Sequence, residues 1–124
     1  MTHDNIIEQW SDTETNYTCI IKITPYGTYN GYVGVPINPN SSKNKNKKYI
    51  KKLQSIYVHG GVTFSGYFEN FKDFYFIGFD TLHNGDYIPK PEFLKSLNHD
   101  SSTFKDLPFI KNEIDKMLTQ LKQI

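Results

Sequence analysis

The sequence predicts an α+β fold: a small, mostly antiparallel sheet of about four strands covered by a C-terminal amphipathic helix. Three observations carry that expectation. Stretches rich in β-branched and aromatic residues recur between Gly, Pro and Asn turn signals from residue 17 to 80. Two of the links between them, at Pro25–Gly27 and at "ENFKD" (69–73), are short enough for hairpins. Residues 107–121 repeat apolar side chains at spacings of three and four.

The elements follow in chain order. "DNIIEQW" (4–10) has Ile6, Ile7 and Trp10 at a spacing compatible with a short helix. "YTCIIKIT" (17–24) reads as the first strand, stopped by Pro25 and Gly27. "TYNGYVGVP" (28–36) reads as its hairpin partner, with Gly31 and Gly34 marking a bulge or a close approach by another group. The Lys/Asn-rich segment 38–52 carries six Lys between 43 and 52 and no acid among them. It is expected to be a solvated surface loop passing into a short helix near 47–55; the sharper alternative is a phosphate-attracting patch at a pocket rim, which would make binding salt-sensitive.

"SIYVHGGVTFSGYF" (55–68) is expected to be a third strand, broken near its paired glycines, and "DFYFIGFD" (73–80) a fourth whose unbroken apolar run implies burial on both faces. A helical turn is expected at "EFLKSL" (92–97). The clearest element is the helix at about 107–123, with Asp106 as N-cap, Pro108 in the first turn, Leu107, Ile110, Ile114, Met117, Leu118 and Leu121 on one face and the charges opposite.

Composition narrows the class. The 124 residues suit one domain, 1–124, whose nine Tyr, nine Phe and one Trp supply much of the core. The lone Cys19 in "YTCIIKI" reads as a buried small hydrophobe, and a single cysteine fits a reducing compartment. "MTHDNIIEQW" lacks the basic start and apolar core of a signal peptide, and no run approaches the about 20 apolar residues of a membrane span. The expected location is the cytoplasm, without membrane attachment. A net charge of +1 gives no case for long nucleic acid as a partner. All fourteen basic residues are Lys, so any bound anion must be held by Lys, His, hydroxyls or backbone amides, not by guanidinium forks.

Two stretches carry the candidate site. "HGG" (59–61) interrupts β-forming residues with glycines that cost a strand about 0.5–1 kcal/mol each, so another group is expected to approach there, either a ligand or the C-terminal helix. "FDTLHNGD" (79–86) closes the fourth strand with Asp80, His83 and Asp86 around an Asn-Gly turn. A hairpin of strands three and four would bring His59 to the same end of the sheet, so that two histidines and two aspartates converge. Such a set could ligate a divalent metal of the Zn, Mn or Fe type, work as a His/Asp base and orienter in a metal-free hydrolase, or bind a nucleotide-like ligand through acceptors, imidazoles and Gly amides. The D-x2-H-x2-D spacing is compatible with all three.

Blander roles compete with each residue: Asp80 as the cap of its own turn, His83 as an exposed loop residue, and Asp86 as a turn residue after Asn-Gly. His3 and His99 read as solvated, and Ser65 lacks the context of a nucleophile elbow. No phosphate-binding Gly-Lys loop, dinucleotide fingerprint, C-x-x-C pair or H-E-x-x-H helix is present. The expected ligand-binding residues are His59, Gly60, Gly61, Thr63, Asp80, His83 and Asp86, with Tyr32; no catalytic or metal-ligand assignment follows.

"GYVGVP" (31–36), "HGGVTFSG" (59–66), "GFDTLHNGD" (78–86) and "TFKD" (103–106) occur in an order that resembles a family of small uncharacterised bacteriophage and prophage proteins, over most of residues 17–121. Phe74 and Tyr75 stand where that family commonly has Trp, and the Lys-rich segment is particular to this chain. The resemblance implies a phage-related origin, a single α+β domain and His59, Asp80, His83 and Asp86 as key positions; it implies no activity. By analogy with small phage proteins that counter host immunity, the favoured expectation is an oligomeric, non-enzymatic anti-defence protein that sequesters a nucleotide-derived signal in the host cytoplasm. The alternatives are a metal-dependent hydrolase or phosphodiesterase using the His/Asp cluster, and a protein-binding inhibitor of a host factor.

Overall fold

The computed structural model describes residues 5–37, 43–90, 92–99 and 101–124. Five strands, β1 (Asn5–Ser11), β2 (Thr18–Ile23), β3 (Tyr29–Pro36), β4 (Phe64–Gly66) and β5 (Phe74–Phe79), form one antiparallel sheet in the order β1-β2-β3-β5-β4. Two α-helices, α1 (Lys43–Leu53) and α2 (Leu107–Leu121), and a 3-10 helix at Glu92–Leu97 complete an α+β architecture. Among the described residues no helix is long and apolar enough to cross a membrane.

Strand alternation sorts the core into two layers. Cys19 and Ile21 of β2, Val33 and Val35 of β3, and Tyr75, Ile77 and Phe79 of β5 face α2 and meet its Ile110, Ile114, Met117, Leu118 and Leu121. The intervening Ile20, Tyr32 and Phe76 point to the other face, capped by Phe64, Phe68, Phe71 and Phe74. The apolar run of β5 is thus buried on both sides, as its composition implies. Burial pushes the Cys19 thiol up to about 12, keeping it protonated among hydrocarbon neighbours. Asp106 caps α2 by accepting from the Phe109 N–H, with Pro108 in the first turn where no hydrogen bond is lost.

Three expectations are corrected, and one that named two alternatives is decided. "DNIIEQW" is not a helix: its described part lies in edge strand β1, paired with β2 from Asn5↔Ile23 to Ser11↔Thr18. The sheet therefore has five strands, not four. The third expected strand, 55–68, shrinks to Phe64–Gly66, because Gly60 and Gly61 take φ of 68° and 85° and turn the chain. The bulge lies in β1, between Ile6 and Glu8, while β2 and β3 pair without a shift across Gly31 and Gly34. Those two glycines bear out the other reading, a close approach, by admitting the rings of Phe79 and Phe76. The Lys-rich helix starts earlier than expected, at Lys43; residues 38–42 of the expected surface segment lie outside the described residues.

Gly78 serves the second face similarly. A Cβ there would stand 2.3 Å from the Tyr32 ring and 3.0 Å from the Gly31 carbonyl oxygen. Gly78→Ala is expected to cost about 1–3 kcal/mol, read as a lower urea midpoint at unchanged slope, whereas Gly66→Ala, whose Cβ would meet nothing closer than 3.5 Å, should lack this overpacking term.

Candidate functional site

The His/Asp cluster lies where two loops and the start of α2 meet beyond the end of β5. The first loop, which precedes β4, is fixed by α2. The Gln120 carboxamide bonds both backbone groups of Tyr57, accepting from its N–H at 2.7 Å and donating to its carbonyl at 2.6 Å. Two helical turns further toward the N-terminus, Glu113 accepts from the His59 N–H at 2.9 Å and pairs with Lys116 at 2.8 Å. Phe109 then meets the His59 ring edge-to-face, with centroids 5.1 Å apart. Glu113 is buried within the apolar stripe of α2, which departs from the expectation that the helix charges lie opposite it.

The second loop wraps around Asp86. Its side chain is 1% exposed, and its carboxylate collects donors from three segments of the chain. His59 Nε2 lies 2.9 and 3.0 Å from the two oxygens, the His83 N–H donates to Oδ2 at 3.0 Å, and Lys105 Nζ stands 3.2 Å from Oδ1. An ionised carboxylate can only accept, so the proton between this pair sits on His59 Nε2. Burial pushes the Asp86 pKa up, but hydrogen bonds from His59, His83 and Lys105, with the charge interaction of His59, outweigh it, and the net shift is downward. The loop closes on itself through Asp86 N–H to His83 C=O. It is tied to the approach to α2 by a parallel bridge of Asp86 with Thr103, with Thr103 N–H to Gly85 C=O at 2.9 Å and Tyr87 N–H to Thr103 C=O at 2.8 Å. The same Lys105 ammonium also donates to the Thr103 carbonyl and hydroxyl.

His83 completes the cluster. Its ring centroid lies 5.6 Å from that of His59, near-perpendicular, and its Nδ1 faces Asp80 Oδ1 at 3.4 Å and Asp86 Oδ2 at 3.6 Å. Neither separation is a hydrogen bond, and Nδ1 is buried without a hydrogen-bond partner among the described residues. The group that approaches "HGG" is this imidazole: a Cβ on Gly60 would lie 2.2–2.5 Å from three of its ring atoms.

The structure thus brings His59, Gly60, Asp80, His83 and Asp86 together. Asp80 also caps its turn, accepting from the Leu82 N–H at 3.0 Å. Gly61 is exposed, and its open side has nothing within 4 Å. Thr63 is set apart, lining an open depression of about 320 Å³ with Gln54, Val62, Phe64 and Ser65. Ser65 there bonds Gln54 and Tyr75, not a histidine. Tyr32 lies on the opposite face of the sheet, buried against Phe64 and Phe68. Sequence reasoning missed Lys105, Glu113 and Gln120; only Glu113, a charge inside an apolar stripe, left a local signal. One ligand atom each from His59, His83 and Asp86 lie within 4.8 Å of one another, a donor set able to hold a metal ion. No known protein family, curated protein or solved structure matches the chain.

Two measurements check this geometry. Asp86→Ala leaves a buried cluster of donors unpaired and should cost about 3 kcal/mol at pH 7. Because the folded-state pKa of Asp86 lies below its unfolded value, that stabilisation is complete above about pH 4 and is lost as pH falls through the folded pKa. The gap between wild type and Asp86→Ala in urea unfolding should therefore narrow in acid. Gly60→Ala and Gly61→Ala both place a side chain at positive φ, costing about 1–2 kcal/mol. Only Gly60→Ala collides with His83, so it should be the more destabilising by about 1 kcal/mol or more.

Proposed function

We propose that this chain is a small-molecule-binding protein that takes a phosphate-bearing, nucleotide-like ligand at the surface formed by His59, Gly60, Gly61, His83 and Lys105. The observation that carries the reading is the convergence of two imidazoles and one ammonium on a single buried carboxylate. In a chain without arginine, these are the nitrogen donors through which a phosphate would be recognised. Asp86 holds them in place, and its own oxygens are occupied by donors, so its charge is directed inward and not at the ligand.

Backbone shape supports the same reading. Gly61 and Gly85 have positive φ and open space where a side chain would stand, so a ligand can come close to both loops. Two residues after Gly61, Thr63 lines the separate depression, whose apolar Val62 and Phe64 and polar Gln54 and Ser65 suit the remainder of a nucleotide-like molecule long enough to reach it. Together with the resemblance to phage proteins, this makes stoichiometric capture of a nucleotide-derived immune signal the biological role we propose.

The test is thermal unfolding against inorganic phosphate, mononucleotides, cyclic dinucleotides and cyclic ADP-ribose isomers. A ligand at about 100 times its Kd adds about 2.7 kcal/mol, which raises Tm by several degrees in a chain of this size. The expected result is such a rise for at least one nucleotide, reduced in Lys105→Met, with the ligand recovered intact after heating. No rise with any of them overturns the binding reading, and recovery of a cleaved product overturns sequestration.

A further inference from the structure

We infer that His59, His83 and Asp86 together hold one divalent transition-metal ion, an occupant beyond the organic ligand proposed above. The argument starts from the unpaired nitrogen. His83 Nδ1 is buried, has no hydrogen-bond partner among the described residues, and is aimed between the carboxylates of Asp80 and Asp86 at 3.4 and 3.6 Å. Buried polar atoms are rarely left unpaired, because each costs the desolvation that a partner would repay. Two acceptor-only carboxylates and an imidazole nitrogen at this separation leave room for a cation between them.

The distances fit an ion. Zinc binds imidazole nitrogen and carboxylate oxygen at about 2.0–2.2 Å, which places two donors of a tetrahedral site about 3.4 Å apart. The His83–Asp86 separation of 3.6 Å already meets that spacing. His59 Nε2, now 2.9 Å from Asp86 Oδ1 through a direct hydrogen bond, would move out by about half an ångström. It would coordinate through Nε2 as the tautomer protonated on Nδ1, so its proton is relocated and not lost. The three ligand atoms lie within 4.8 Å of one another, so the widest pair would close toward the tetrahedral spacing when the ion binds.

Two nitrogens and an oxygen favour Zn, Mn or Fe over Ca or Mg, and three protein ligands leave a position for water or an oxygen of a bound molecule. Lys105 opposes the ion, since its ammonium stands 3.2 Å from Asp86 Oδ1. It is not stranded if it withdraws, because Thr103 supplies it a carbonyl and a hydroxyl. Removing that charge should therefore strengthen metal binding, the opposite of its expected effect on a phosphate ligand.

The test is calorimetric titration of tag-free, metal-stripped full chain with zinc alone and, in parallel, with cobalt followed by visible absorption. The expected result is one ion per chain, a tetrahedral cobalt spectrum, a loss of about tenfold or more in affinity in His83→Gln and in His59→Gln, and tighter binding in Lys105→Met. Circular dichroism confirms that each variant is folded; if His59→Gln is not, His83→Gln and Lys105→Met decide. No binding at micromolar metal, or binding unchanged in both histidine variants, overturns the inference. Repeating the thermal-shift series with chelator present keeps the two readings apart, since the ligand reading is then tested with no metal bound.

Discussion

The Asp86 carboxylate is the constraint on which the site depends. It is withdrawn from solvent and so cannot be left unpaired, and its donors come from three parts of the chain: His59 before β4, His83 in its own loop, and Lys105 ahead of α2. An isolated buried charge costs far more than a folded chain of this size can spare. Once Asp86 is buried, these segments have to meet around it. The positions of the His59 imidazole and the His83 backbone follow from that requirement, and a lowered Asp86 pKa is its electrostatic signature.

The sheet and α2 set the stage on which this happens. β5 is buried on both faces and ends at Phe79, which delivers Asp80 and the following loop to one edge of the core. α2 serves twice: its apolar stripe closes the core, and Glu113 and Gln120, two turns apart, grip the backbone of Tyr57 and His59. The loop with "HGG" thus gains from side chains the hydrogen bonds that a strand would have taken from its neighbours. Its Gly60 is open to the His83 ring and its Gly61 is open to solvent, so one glycine builds the cluster and the other exposes it.

Much of the fold was legible because its signals are local. The apolar run of β5, the Pro25–Gly27 stop between β2 and β3, and the three-and-four spacing of α2 with Asp106 ahead of it each lie within a few residues. β1 was not legible, because Ile6, Ile7 and Trp10 suit a helical face as well as an edge strand, and pairing with β2 decides between them. The "HGG" segment was drawn into a strand by Tyr57, Val58, Val62 and Thr63, while backbone at positive φ makes it a turn. His59, Asp80 and His83 could be singled out by residue type. The central place of Asp86 could not, since after Asn-Gly an aspartate reads first as a turn residue. Lys105, Glu113 and Gln120 act on positions far away in sequence, and no short pattern reports such contacts.

The central claim is that Asp86 holds His59 in one protonation pattern and thereby organises the cluster. A long-range nitrogen–proton correlation spectrum of the imidazoles tests this most directly in the metal-free chain. The account predicts a single His59 tautomer with the proton on Nε2, slow to exchange, which becomes an averaged pair of tautomers in Asp86→Asn. A His59 ring that averages its tautomers in the wild-type chain, with a spectrum unchanged by Asp86→Asn, would contradict it.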